Sequence, residues 1–290
     1  MRYLPAFILL LGAACGITTG SVRATKDVTL SVPHVAGQKF SVESRNGSVE
    51  VHGDPALSEV KIWARIVCSG KTKEEAERRL AETKVVAERD ANGILQVVAR
   101  FPAGRSLPND GASIKVRMPD AKGGIVKTSN GNVTVTRIAG KVTVRTSNGR
   151  VQVTDLGGTV DVDTSNGNVR AVNIAGPLVV RTSNGTITAE GIQGRAKLIS
   201  SNGNVHIVLT RAGPLSVSTS NGTVDVTVGR RFLGTVSIGT SNGSIQVEDP
   251  AGRITSQHIR KTSAKLQVGD GGDASSVTTS NGNVRFKIEK

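Results

Sequence analysis

Aromatic residues are nearly missing from this 290-residue chain, which has five Phe, one Trp and one Tyr, 2% of the sequence. A core without rings must be filled by Val, Ile, Leu and Ala in thin, regular layers. The scarcity also argues against flat sugar-stacking platforms and single-strand nucleic-acid grooves, which work through aromatic faces. Cysteine is as rare. Of the two, Cys15 falls in an N-terminal leader and leaves Cys68 without a partner, so a disulfide framework is excluded. The four histidines (His34, His52, His206, His258) are scattered and lack metal-ligand spacing, and no cofactor is implied. No apolar run approaches the roughly 20 residues that a membrane-spanning helix needs.

What is present describes a folded chain. Hydrophobic residues make up 37%, and 34 glycines bring the apolar fraction to a normal globular value. Basic residues outnumber acidic ones 37 to 23, for a net charge of +14. Residues 1–24 predict an export signal. Arg2 supplies the positive start, Leu4 to Ala14 the short apolar run, and Val22-Arg23-Ala24 the small-residue cleavage site. The alternative is lipoprotein processing at Cys15, where Gly12 stands in the place such signals usually give to Leu.

The decisive feature is internal repetition. Thr-Ser-Asn-Gly begins at Thr128, Thr146, Thr164, Thr182, Thr219, Thr240 and Thr279, with Ser200-Ser201-Asn202-Gly203 as a variant copy. Most copies lie 18 residues apart; the last interval, 39 residues, holds a worn copy at Thr262–Val268 that reads as a further coil. After each Gly comes an alternating strand, as in Val133/Val135, Val151/Val153 and Val224/Val226. A second glycine column (Gly140, Gly158, Gly176, Gly194) precedes another such strand, as in Val142/Val144 and Val160/Val162.

Two architectures share this grammar. Asn-Gly is a strong hairpin signal, which would give an antiparallel meander. Identical residues at a fixed period are instead what stacking of like on like requires, and a meander has no need of them. The reading is an all-β fold: a parallel β-solenoid of about nine 18–22-residue coils over residues 121–290. Ahead of it, residues 25–120 read as a β-rich module with one helix near 72–83. There Thr72-Lys73-Glu74-Glu75 forms a capping box, and Ala76, Leu80 and Ala81 form an apolar stripe. Asn46-Gly47-Ser48-Val49-Glu50-Val51 is a lone early copy of the repeat, and Asn92-Gly93 joins a hairpin. In Val60–Cys68, apolar residues alternate with Lys61, Trp63, Arg65 and Val67, and Cys68 reads as a buried small hydrophobe.

The strand–helix–hairpin segment Val60–Phe101, the strand Ile114–Met118 with Pro119-Asp120, and the Thr-Ser-Asn-Gly-x-Val-x-Val units together carry a resemblance. The chain resembles the bacterial β-strand-repeat proteins regarded as candidate adhesins, a family of otherwise unknown function. That resemblance implies a right-handed β-helix-like fold on exported or envelope-linked proteins, with no catalytic residues to carry over.

The chemistry-bearing motifs are few. Gly239-Thr240-Ser241-Asn242-Gly243 matches Gly-x-Ser-x-Gly but lacks the strand-to-helix turn and histidine partner of a nucleophile elbow. Gly269-Asp270-Gly271-Gly272-Asp273 stands alone, whereas calcium-binding glycine loops come in tandem, so it reads as a turn. Asp161 and Asp163 point outward but find no further carboxylates in the neighbouring units. Lys127, Arg145 and Arg181 share one outward column, interrupted by Asp163, and form the candidate anion-binding stripe. The same charges could simply deter edge-to-edge aggregation.

The functional reading is an exported, non-enzymatic, envelope-associated protein with an adhesin-like binding or scaffold role, in the periplasm, at the cell surface or outside the cell. Its partner would be an envelope or surface component, such as an anionic polymer, and not nucleic acid. The alternatives are a polyanion-binding module and a glycan-active β-helix enzyme.

Overall fold

Residues 22–102, 107–211 and 213–290 are described by the structure, a computed structural model; of the predicted export signal, residues 1–24, positions 1–21, Cys15 among them, lie outside the described residues. The chain divides into two compact units, residues 1–140 and 141–290.

Unit 1 contains β1 (Val22–Pro33), β2 (Phe40–Glu43), β3 (Val49–Gly53), β4 (Glu59–Gly70), α1 (Lys73–Glu82), β5 (Lys84–Arg89), β6 (Leu95–Arg100), β7 (Gly111–Met118), β8 (Gly123–Asn130) and β9 (Val133–Thr136). Strands β1, β4 and β7 are antiparallel neighbours, and β7, β3 and β9 continue in parallel. Strands β8, β2 and β6 are parallel, and β5 closes the hairpin onto β6. The early Asn-Gly copy is already a coil. Asn46 bridges to Asn130, and Val49 and Val51 pair with Val133 and Val135.

The helix follows from its caps. Thr72 accepts the Glu75 N–H, and the Glu75 carboxylate accepts the Lys71 N–H. Ala76 and Leu80 are its buried face. At its C-terminal end the Lys26 ammonium donates to the carbonyls of Leu80 and Thr83, 2.6 and 2.7 Å away, where the helix dipole favours a cation. Burial lowers the Lys26 pKa. Cys68 is fully buried, with Sγ 3.3 Å from the Thr83 hydroxyl, and burial raises its pKa.

Asp110, completely buried, ties these parts together. It accepts from the Ser69 N–H (2.8 Å) and hydroxyl (3.0 Å), the Leu107 N–H (2.7 Å) and the Arg79 guanidinium (2.5 Å). Burial alone would raise its pKa, but these donors outweigh burial and hold it below the ordinary carboxylate value.

Unit 2 is the repeat built out. It comprises β10 (Lys141–Asn148), β11 (Val151–Leu156), β12 (Val160–Asn166), β13 (Val169–Ile174), β14 (Leu178–Asn184), β15 (Ile187–Ile192), β16 (Ala196–Asn202), β17 (Val205–Leu209), β18 (Leu215–Asn221), β19 (Val224–Val228), β20 (Gly234–Asn242), β21 (Ile245–Glu248), β22 (Ile254–Ile259), β23 (Ser263–Val268), β24 (Ser275–Asn281) and β25 (Val284–Ile288). The stacking is parallel and in register, with Val142 on Val160, Val160 on Leu178, Val151 on Val169 and Val169 on Ile187. The hairpin alternative is therefore excluded, and this unit is a parallel β-solenoid.

Its interior is built mainly of aliphatic columns, most of them at 0–1% exposure, with Phe232 and Phe286 buried among them. One of them, Leu156, Ile174 and Ile192, escaped the period-2 reading. A residue with left-handed backbone precedes each member (Asp155 and Asn173 at φ 56°, Gly191 at φ 68°) and turns the next side chain inward.

The turns stack as closely as the strands. Asn166 donates its amide to Asn148, Asn184 to Asn166, Asn202 to Asn184 and Asn221 to Asn202, each at 2.8–2.9 Å. The Thr182, Ser200 and Thr219 hydroxyls reach the glycine carbonyl of the coil before. A Cβ at Gly185 would lie 2.2 Å from the Gly167 carbonyl oxygen, so backbone sits on backbone and only glycine fits.

The regular order ends in the C-terminal part. The worn copy is not a coil, because β23 runs antiparallel to β20 and β22 antiparallel to β23. Its Ala264-Lys265 replaces Asn-Gly, so it can neither join the amide ladder nor pack on a turn. The intact copy at Thr279 does both, and β24 lies between β18 and β20.

Two outcomes follow. Asp110→Asn lowers stability by about 3 kcal/mol at neutral pH, as expected for breaking a buried pair. In the parent, Asp110's share is complete above its unfolded pKa of about 3.9 and disappears as pH falls through the lower folded value, so that limb of acid-induced loss flattens in the variant. Urea titrations across pH measure both. In the ladder, Asn184→Ala removes two amide bonds and costs about 1–3 kcal/mol, while exposed Ser183→Ala costs less than about 0.5 kcal/mol.

Candidate functional site

Because side chains alternate along the strands, each sheet presents outward columns that are mostly polar, with Ile125, Val179 and Ile199 among the exceptions. The candidate stripe is one such column. In unit 2, Arg145, Asp163 and Arg181 follow one another in register on β10, β12 and β14. Arg181 Nη1 lies 3.0 Å from Asp161 and 3.2 Å from Asp163, and its hydrogen bond to Asp163 helps raise its pKa. Two cations and two carboxylates make this patch neutral. In unit 1, Lys127 is exposed on β8 opposite exposed Glu43 on β2. The same alternation recurs on the other sheet, where Arg170 pairs with Glu190 at 2.8 Å and Arg285 with Asp225 at 3.8 Å.

The other motifs take structural places. Ser241 sits at the end of β20 in the turn ladder, and Thr240 donates to the Gly282 carbonyl. Asp161 and Asp163 hold Arg181. His34 pairs with Asp120 at 2.5 Å, and His206 stands in register with Asp225. Among the described residues no group of three or more His, Cys, Asp or Glu side chains could hold a metal ion.

A different surface emerges on unit 1. The outward residues of β1, β4, β7 and β3 form a grid fixed by strand register. One row is Asp27, Arg65 and Ser113; the next is Thr29, Trp63, Lys115 and Glu50; the third is Ser31, Lys61, Arg117 and His52. Trp63 is 36% exposed at its centre, while Phe40, Phe232 and Phe286 are all buried. The Arg117 guanidinium lies 5.9 Å from the Trp63 ring centroid, within cation–π range.

Around the ring runs an open groove of about 550 Å³ whose rim includes Asp27, Arg65, Glu50 and Lys115. Arg65 holds Asp27 through two hydrogen bonds of 2.8 and 3.1 Å, which lower the Asp27 pKa and raise that of Arg65. Lys115 lies 3.1 Å from Glu50. Burial, then the charges of Arg137 and Arg117, lower the His52 pKa, so the imidazole stays neutral near neutral pH. The surface offers an aromatic face framed by ion pairs, with donors and acceptors on every side. It can stack and hydrogen-bond, and at its edge the Ser31 hydroxyl donates to the Glu59 carboxylate at 3.2 Å.

The sequence carried one signal for this surface. Trp63 occupies an outward column between Lys61 and Arg65, where a large apolar ring has no packing reason to be. The overall scarcity of aromatics hid it.

No curated protein matches the chain. Solved structures similar to it include three from bacteria. A candidate cell adhesion protein from Clostridium sporogenes has 11% identity and a TM-score of 0.27, with 91% of this chain and 100% of that one covered. A candidate adhesin from Bacteroides fragilis has 12% identity and a TM-score of 0.48, with 91% and 97% covered. A candidate lipid-binding protein from Parabacteroides distasonis has 12% identity and a TM-score of 0.40, with 91% and 97% covered. The Toastrack DUF4097 profile matches residues 16–287, the repeats and the β-rich region ahead of them alike, and the chain belongs to that family.

Proposed function

We propose that this is an exported, adhesin-like binding protein without catalytic activity, whose contact surface is the outer grid of β1, β4, β7 and β3 around Trp63. The carrying observation is the exposed Trp63 ring inside a frame of ion pairs. Exposing the largest apolar side chain is unfavourable for an isolated surface, and such residues concentrate where partners bind. The solenoid is the scaffold: Arg170, Arg181 and Arg285 on its outer faces are each paired with a carboxylate, and its turn amides are engaged in stacking.

The polyanion reading loses support from the same geometry. Arg181 is already held by two carboxylates, and Lys127 faces Glu43. The enzyme reading loses support because Asp161 and Asp163 are spent on that arginine.

Export rests on the N-terminal leader, and no helix among the described residues is long and apolar enough to cross a membrane. Of the two processing routes, maturation at Cys15 leaves β1 whole. A cut after Ala24 removes three residues paired with Gly70, Ser69 and Cys68, including buried Ala24.

The test is pull-down of purified envelope components, with heparin as a polyanion control. Trp63→Ala weakens envelope binding by about thirtyfold, the loss of one interface anchor, and shifts stability by less than about 0.5 kcal/mol. The triple variant Lys127→Glu/Arg145→Glu/Arg181→Glu binds as the parent does. The reverse pattern, with heparin binding abolished in the triple variant, would establish the polyanion reading instead.

A further inference from the structure

Each ladder asparagine of unit 2 is followed by glycine, and the pair carries a reaction within itself. A glycine N–H has no side chain to shield it. Its nitrogen can attack the asparagine Cγ: the N–Cγ bond forms, the Cγ–Nδ2 bond breaks, and the proton from the glycine nitrogen leaves with Nδ2 as ammonia. A five-membered succinimide remains, which one water opens at either carbonyl to give aspartate or isoaspartate. Two things hold this reaction back in a folded chain: a hydrogen bond that occupies the glycine N–H, and hydrogen bonds that fix the side-chain amide.

Inside the stack both are present. The N–H groups of Gly167, Gly185 and Gly203 donate to the asparagine carbonyls of the next coil at 2.9–3.0 Å, and those of Gly222 and Gly282 donate to Asn281 and Asn242 at 3.0 Å. The side chains of Asn166, Asn184, Asn202, Asn221 and Asn281 each donate to one neighbour and accept from the other. At Asn242 the ladder ends. Its amide donates to Asn281 at 2.8 Å, and no donor among the described residues reaches its own Oδ1. The Gly243 N–H likewise has no acceptor among the described residues. Strand β23 covers β20 from Gly234 to Gly239, and the Thr262 carbonyl takes the Thr240 N–H; beyond that the worn copy has no Asn-Gly turn to lay over Asn242. Asn242 is exposed, and attack there breaks one hydrogen bond where a stacked copy must break three. Packing still demands glycine. A Cβ at Gly243 would lie 2.0 Å from the Gly282 carbonyl oxygen, so the turn cannot take a residue that would shield the nitrogen.

We propose that Asn242 is a spontaneous modification site, deamidated through the Gly243 nitrogen in the folded protein, while the stacked copies are protected. The product puts carboxylate oxygens where the amide donor stood, so Asn281 loses the bond it accepts from Asn242. Isoaspartate also adds a backbone atom at the end of β20, beside the carbonyl that holds the Gly282 N–H. Loosening of the stack therefore begins at this terminal coil, whose turn has the same Thr-Ser-Asn-Gly sequence as the protected ones.

Peptide mapping of the full chain tests this. The folded protein is held in mildly alkaline buffer, and samples taken over days are digested with trypsin, which places each of these Asn-Gly pairs on its own peptide. Mass spectrometry reads the change from amide to acid. The peptide 232–253, with Asn242, converts at least about tenfold faster than those carrying Asn166, Asn184, Asn202, Asn221 and Asn281, the effect of two fewer hydrogen bonds to break. The same incubation in concentrated guanidinium chloride removes the stack, and the lead of Asn242 disappears. Equal rates in the folded protein overturn the proposal. So does a lead that persists in denaturant, because it traces the difference to neighbouring residues and not to the stack.

Discussion

Stacking of one turn backbone on the next, at the strand spacing of about 4.8 Å, is the constraint on which the rest of this structure depends. At that distance nothing larger than hydrogen fits between successive turns, which is why Gly185 lies under the equivalent glycine of the following coil. The same spacing places the Asn amides within hydrogen-bond reach of the copies above and below, and sets the hydroxyls of Thr182, Ser200 and Thr219 against glycine carbonyls. Once the turns are fixed, the strands between them have no choice of register. Their inward residues fall into columns that are almost entirely aliphatic, with Phe286 as a ring in the β25 position, and the scarcity of aromatics follows.

Much of this was legible in the residues. A fixed 18-residue period and identical turn positions predict parallel stacking, and the pairing of Val142 with Val160 is that prediction realised. The capping box at Thr72 marked the helix within a residue. Three features were not legible, each for its own physical reason. The inward column of Leu156, Ile174 and Ile192 depends on left-handed backbone at non-glycine residues, Asp155 and Asn173 among them, which sequence periodicity does not register. The worn copy at 262–268 keeps the apolar alternation of a coil but not its Asn-Gly turn. Alternation alone permits antiparallel pairing equally well. The placement of β24 depends on which coils compete best for a neighbour, a property of the assembled stack.

The candidate site divides in the same way. Column membership of Arg145, Asp163 and Arg181 could be read directly, since register follows from the period. What Arg181 does there could not, because its partner Asp161 lies two residues from the register position and is reached by a long flexible side chain. Trp63 was visible in an outward column, yet its meaning comes from neighbours on three other strands, far apart in the chain. The proposed contact surface is therefore assembled by topology, while the stacked coils are assembled by repetition.

The central claim is that turn identity, and not position along the chain, decides which coils stack. Methyl–methyl NOE spectroscopy on Val, Ile and Leu-labelled protein addresses it directly. The account predicts cross-peaks from Val277 to both Val217 and Ile238, the residues paired with it on either side. A strong direct cross-peak between Val217 and Ile238, with Val277 in contact with neither, would show that the coils stack in chain order and would contradict it.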